Sequence, residues 1–196
     1  MTTRQFKFPM EPENRQPHAP EADLAQAPAG DCLVLTAPTA EETQRLGALL
    51  GRALRPGDLL LLQGPIGAGK TTFAQGLARG MGLENRVTSP SFTLANVYEP
   101  VRVGACPLYH LDLWRIKNPL EALGIGLDEY LAGDGVCVIE WPDVAEDVLS
   151  DSYLRLRFTL QGDSRQIELC PAGARATSAL DELRAALKGA TDAAGD

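Results

Sequence analysis

The sequence predicts an α/β fold: a single three-layer sandwich around a mixed, mostly parallel sheet that ends in a C-terminal β-hairpin. Three observations carry this. Residues 58–63 (DLLLLQ) and 136–139 (VCVI) are short, continuous apolar runs, the pattern of strands covered on both faces. Segments of helical period alternate with such runs along the chain. Residues 153–160 (YLRLRFTL) alternate with period two and are followed, after Gly162 and Asp163, by the run 166–170, as in an antiparallel hairpin.

Taken in order, residues 1–30 carry Pro9, Pro12, Pro17, Pro20 and Pro28 among Glu, Ala and Gln without a sustained hydrophobic period, and read as a disordered leader. A start codon placed too far upstream would give the same texture. The folded domain is expected over 31–188. It opens with a short strand at 33–35, and Thr39 with Glu42 forms a capping-box pattern that starts a helix through Leu46, Leu49 and Leu50. Pro56 and Gly57 end that unit. The buried strand 58–63 leads into a glycine loop, and a helix follows from about Lys70 to Met81, closed by Gly82. Residues 91–97 (SFTLANV) and 108–113 (LYHLDL) read as strands joined by a turn around 99–104. One helix is expected over 119–131 (PLEALGIGLDEYL) despite its two glycines, then the strand 136–139 and the hairpin. A last helix over about 176–188 precedes a flexible, acidic tail at 189–196.

At 196 residues, 44% hydrophobic and 22% charged, the chain suits one well-buried domain. Its net charge of −8 and pI near 4.8 argue against a surface that grips DNA or another polyanion, which needs clustered Lys and Arg. No apolar run approaches a membrane span and no signal-peptide pattern opens the chain, so a cytoplasmic address is expected. Cys32, Cys106, Cys137 and Cys170 are widely spaced beside apolar runs and read as buried free thiols.

Chemistry concentrates in QGPIGAGKTTF, residues 63–73. Gly64-x-x-x-x-Gly69-Lys70-Thr71 is the P-loop pattern GxxxxGK[ST], with a buried strand before it and a helix after it, so the fold is expected to be P-loop NTPase-like. In such a loop the amides of Gly67, Ala68, Gly69, Lys70, Thr71 and Thr72 turn inward on phosphate, aided by the helix N-terminus. Lys70 is expected to reach the β and γ phosphates of ATP, and the Thr71 hydroxyl to bind Mg²⁺. Pro65 lacks an amide hydrogen, but it stands before the amides that matter. A carboxylate to complete the metal shell and a group to orient water are also needed. Glu140 follows four apolar residues, as a Walker B carboxylate does, and Asp112 ends another strand. His110 shares a face with Asp112 by period two and reads as a packed histidine rather than a catalyst. For Trp141, stacking near the nucleotide and packing in the core are both open.

The blocks GPIGAGKTTFAQGLARGMG, VTSPSFTL, YHLDLWRI, EALGIGLDEYL and VCVIEWPD, in that order from about Leu33 to Cys170, closely resemble the TsaE (YjeE) ATPases of bacterial tRNA threonylcarbamoyladenosine synthesis. The resemblance implies ATP and Mg²⁺ binding, slow hydrolysis alone, and action with the TsaB and TsaD proteins, reaching tRNA only through that complex. It assigns phosphates to Lys70 and the metal to Thr71 and Glu140. Asp112 matches the family's second acid, a candidate for positioning water. Thr93 falls in a segment resembling a switch loop, and Thr43 lies in an ET…LG pattern near the nucleotide. The chain departs from the family's usual Asp at Pro65, Thr at Ser91 and Tyr at Trp114; only the first change removes a carboxylate.

A small-molecule or nucleoside kinase is the rival reading, since it shares the P-loop and Mg-ATP. Such kinases usually close an arginine-rich lid, whereas here Arg155 and Arg157 lie on an alternating strand. A GTPase switch lacks support: no NKxD motif occurs, and the DxxG match at Asp192 is in the tail. A nucleotide-gated subunit without turnover of its own merges with the family reading.

Overall fold

The computed structural model describes residues 32–192 except 85, 86 and 103, and the expected leader lies outside them. Seven strands form one sheet in the order β1-β7-β6-β2-β5-β4-β3. They are β1 (Leu33–Ala37), β2 (Leu59–Gln63), β3 (Ala95–Tyr98), β4 (Leu108–Asp112), β5 (Val136–Glu140), β6 (Tyr153–Gln161) and β7 (Ser164–Ala172). The central pairings β6–β2, β2–β5 and β5–β4 are parallel. The flanking ones, β1–β7, β7–β6 and β4–β3, are antiparallel.

Helices cover both faces, as the three-layer expectation requires. Helices α1 (Ala40–Ala53), α2 (Lys70–Gly80) and α5 (Gly173–Asp192) pack Leu46, Leu50, Phe73, Leu77 and Leu180 on the face bearing Leu60, Leu62, Val136 and Val138. The opposite face, with Leu59, Leu61, Leu111 and Ile139, is covered by α3 (Pro119–Gly124), α4 (Leu127–Leu131) and a 3-10 stretch, Pro142–Val148. In the middle strands every residue is buried, which is why β2 and β5 read as unbroken apolar runs. Thr39 caps α1, its hydroxyl accepting from the Glu42 amide at 3.2 Å. The Asp58 carboxylate accepts from Nε and Nη2 of Arg175, each at 2.8 Å, and from the Arg55 amide at 2.7 Å, tying α5 to the entry of β2.

Four local readings change. The stretch 91–94 is not strand: the Thr93 and Leu94 amides both donate to the Pro90 carbonyl, at 2.9 and 2.7 Å, which closes a turn before β3. The helix expected over 119–131 is two, because Gly126 adopts φ +79 between α3 and α4. Helix α5 begins at Gly173 and runs past Lys188 to Asp192, beyond the bounds expected for it at both ends. Cys32 and Cys170 are not free thiols but a disulfide. Their 138-residue separation hid the reason, which is the register: Leu33 faces Leu169 across the β1–β7 pair, so the next residues out stand opposite each other. Cys106 and Cys137 are free, and Cys137 is buried.

Candidate functional site

The carboxyl ends of β2, β5 and β4 lie side by side, with Leu62 opposite Glu140 and Glu140 opposite Asp112. Even-numbered residues of these strands face α2, so Glu140, Asp112 and His110 point to the side where the glycine loop turns into helix. A crevice outside the carboxyl ends of parallel strands is the usual ligand position in such sheets. Here it is a cavity of about 220 Å³ lined by Gly67, Gly69, Lys70, Thr71 and Thr72 from the loop, by Ser89 and Ser91, and by Asp112, Glu140 and Trp141.

The loop takes its shape from its glycines. Gly67 (φ +79) and Gly69 (φ +100) sit where a side chain is strained, and Gly69 hands the chain to α2 without a side-chain cap. The first-turn amides of α2 therefore face the cavity end of the helix. Pro65 contributes through its carbonyl, which accepts from the Ala68 amide at 3.2 Å and from Lys70 Nζ at 3.0 Å. Lys70 Nζ also donates to the Gly64 carbonyl at 2.7 Å and lies 4.0 Å from the centre of the Trp141 ring. Burial lowers the Lys70 pKa, and the negative charges of Glu140, Asp112 and Asp143 oppose that fall.

Glu140 is the hub. Its Oε1 accepts from Thr71 Oγ1 at 2.8 Å and, because a carboxylate can only accept, from His110 Nε2 at 3.0 Å. Oε2 has no hydrogen-bond partner among the described residues. Burial pushes this carboxyl up, but His110, Thr71 and Lys70 together outweigh it and hold it below the ordinary glutamate range. Asp112 goes the other way. Burial raises it, although Ser91 Oγ donates to Oδ2 at 2.5 Å and the Trp114 amide to Oδ1 at 2.9 Å. The site thus holds two acids of divergent proton affinity, one beside a hydroxyl and an ammonium and the other beside a serine.

A hydroxyl and a carboxylate oxygen at the start of the helix are hard oxygen donors that suit a small divalent cation, and the unpaired Oε2 leaves Glu140 able to serve one. The positive end of α2, the loop amides and Lys70 suit a phosphate.

With that geometry in hand, comparison with known proteins is decisive. The profile of the family described as "Threonylcarbamoyl adenosine biosynthesis protein TsaE" matches residues 37–167. The chain belongs to the TsaE family. TsaE of Bacillus subtilis, a tRNA threonylcarbamoyladenosine biosynthesis protein, is 40% identical over 144 residues, covering 73% of this chain and 88% of that one. TsaE of Treponema pallidum is 38% identical over 128 residues, 65% of this chain and 92% of that one. The crystal structure of Bacillus subtilis YdiB superposes with a TM-score of 0.65 at 35% identity, over 79% of this chain and 95% of that chain. The family therefore places this chain in tRNA threonylcarbamoyladenosine biosynthesis.

Within this TsaE-family chain, Lys70, Thr71, Asp112, Glu140 and Trp141 converge on one cavity together with Gly67, Gly69 and Thr72. Gly64 stands just outside that lining and offers its carbonyl to Lys70. Ala68 is fully buried, with its amide spent inside the loop. Thr43 is buried behind the loop: its hydroxyl donates to the Thr39 carbonyl, and its methyl lies 3.6 Å from where a Gly69 Cβ would be. The Thr93 hydroxyl turns away from the cavity to Asn96 Oδ1 at 2.9 Å.

Sequence reasoning set His110 aside as a packed residue, noted Ser91 and Trp114 only as departures from the family, and gave Ser89 no role. His110 is fully buried against Glu140, and the Trp114 ring packs 4.4 Å from that of Trp141. Trp141 itself holds φ +58, a rare conformation for a bulky residue, and the register of Asp112 against Glu140 brings the tryptophans that follow them together. Period two put His110 on the face of Asp112, but the β4–β5 register that brings it to Glu140 is not written in either strand alone.

Proposed function

We propose that this chain is the Mg-dependent ATP-binding and hydrolysing subunit of tRNA threonylcarbamoyladenosine synthesis, acting with TsaB and TsaD proteins to support repeated rounds of threonylcarbamoyl transfer. The observation that carries the reading is the Thr71–Glu140 contact of 2.8 Å at the mouth of the glycine loop, within one cavity that also holds Lys70 and Asp112. Bound magnesium would act as a Lewis acid on the phosphate oxygens and be held by Thr71 and Glu140. Thr71 could keep donating its proton to Glu140 Oε1 and still offer an oxygen lone pair to such a cation. Lys70, now seated on the Gly64 and Pro65 carbonyls, supplies mobile positive charge for phosphate. Asp112, with its raised proton affinity, would orient or deprotonate an attacking water. Trp141 shields the ammonium from solvent on one side.

Hydrolysis is favoured over transfer to a metabolite because Lys70 is the one cation among the described residues lining the cavity, and no arginine joins it. The test is incubation of the purified chain with ATP and Mg²⁺, with and without a panel of metabolite acceptors. Only ADP and free phosphate should form, and Glu140→Gln should lower the rate about 100-fold or more while leaving ATP binding, followed by tryptophan emission, intact. A phosphorylated acceptor would refute the reading.

A further inference from the structure

Strand β3 ends the sheet, and no strand among the described residues covers its outer edge. The Asp112 amide donates to the Leu94 carbonyl at 2.9 Å, which fixes the phase of the β3–β4 ladder. Bonds are therefore exchanged at Asn96–His110 and Tyr98–Leu108, and the amides and carbonyls of Ala95 and Val97 point away from the sheet. Beside that edge runs a second cavity of about 680 Å³, closed on its far side by the α3–α4 turn, with Leu123, Ile125 and Tyr130 on its wall. Glu99, Asp128 and Glu129 line it as well, and among the described residues no Lys or Arg does.

We infer that this groove receives an extended, basic peptide segment of a partner protein, added to β3 as an eighth strand. The unpaired backbone groups of Ala95 and Val97 supply the ladder, the apolar wall takes alternate side chains, and the carboxylates select lysine or arginine between them. A nucleic acid would meet like charge there. The groove begins at Thr93 and Leu94, so an occupant lies one turn of chain from Asp112. The inference stands on the sheet edge and does not need the nucleotide reading to hold.

The probe is an acetylated, amidated seven-residue peptide alternating lysine and valine, with a glutamate-for-lysine version as control. Amide exchange is followed by NMR on the full chain. The lysine peptide should slow exchange at Ala95 and Val97 at least tenfold, and the glutamate peptide should not. Glu99→Lys combined with Asp128→Lys should weaken binding at least tenfold. Val97→Pro should abolish protection at Ala95 while leaving the melting temperature nearly unchanged, because the lost amide donates to no strand in the fold. No protection at millimolar peptide, or equal protection by the glutamate peptide, would overturn the proposal. So would concentration-dependent dimerisation that protects the same amides without peptide, which would assign the edge to a second copy of the chain.

Discussion

Oε1 of Glu140 is shared by Thr71 and His110, and that sharing decides which way the carboxylate presents its other oxygen. His110 Nδ1 is buried without a partner among the described residues, where the one polar attachment of the imidazole is to Glu140. Replacing the ring with alanine leaves a cavity and a carboxylate that has lost a donor, which should cost about 2–4 kcal/mol of stability and weaken Mg²⁺ affinity. His110→Gln can still donate an amide hydrogen toward Glu140 and should restore most of the Mg²⁺ affinity, read by titrating tryptophan emission at fixed nucleotide. If both variants bind Mg²⁺ as the native chain does, His110 is only a packing residue. The loop residues were legible because their chemistry is local: strand, glycines, Lys70 and Thr71 follow each other in sequence. His110 and Ser91 were not, since each acts on a residue of a neighbouring segment, and a single strand's period does not name its neighbour. Pro65 was weighed for the amide it lacks, whereas its carbonyl is the group in use.

At the scale of elements, the glycine loop is held from behind by α1 against α2, where the backbones nearly touch. A Cβ added at Gly76 would lie 2.1 Å from the Gln44 carbonyl oxygen, and one at Gly47 would lie 2.4 Å from that of Phe73. Gly76→Ala must therefore push the helices apart. A loss of about 1–3 kcal/mol is expected, seen as a fall of several degrees in melting temperature, with weaker nucleotide binding because Thr43 backs Gly69 across the same seam. An unchanged melting temperature would mean that the helices are not so closely packed. The Cys32–Cys170 bond closes the other end of the sheet over 138 residues, and chain entropy sets its upper contribution at about 4–5 kcal/mol. Reductant should lower the melting temperature of the native chain to that of Cys32→Ser and leave the variant unaffected; equal melting of both under oxidising conditions would argue that the bond does not form. Helices and buried strands were readable from period and run length. The turn at 91–94 and the break at Gly126 were not, because each depends on a hydrogen bond or a backbone angle that composition only hints at.

For the molecule as a whole, alternation of helices and strands announced the layers, but the strand order did not follow from it. That order places β5 between β2 and β4, although β2 and β4 both precede it in sequence, and only then do Thr71, Glu140, Asp112 and Lys70 meet. Family membership fixes the process in which the chain works, while the cavity motivates the claim that ATP turnover is its contribution. Reconstituted threonylcarbamoyl transfer to tRNA, with TsaB and TsaD proteins and this chain either native or carrying Lys70→Ala, tests that claim most directly. Multiple rounds of modified tRNA should form with the native chain, and product should stall near one equivalent of TsaD with the variant or with no chain added. Equal multiple-round yields from all three reactions would contradict it.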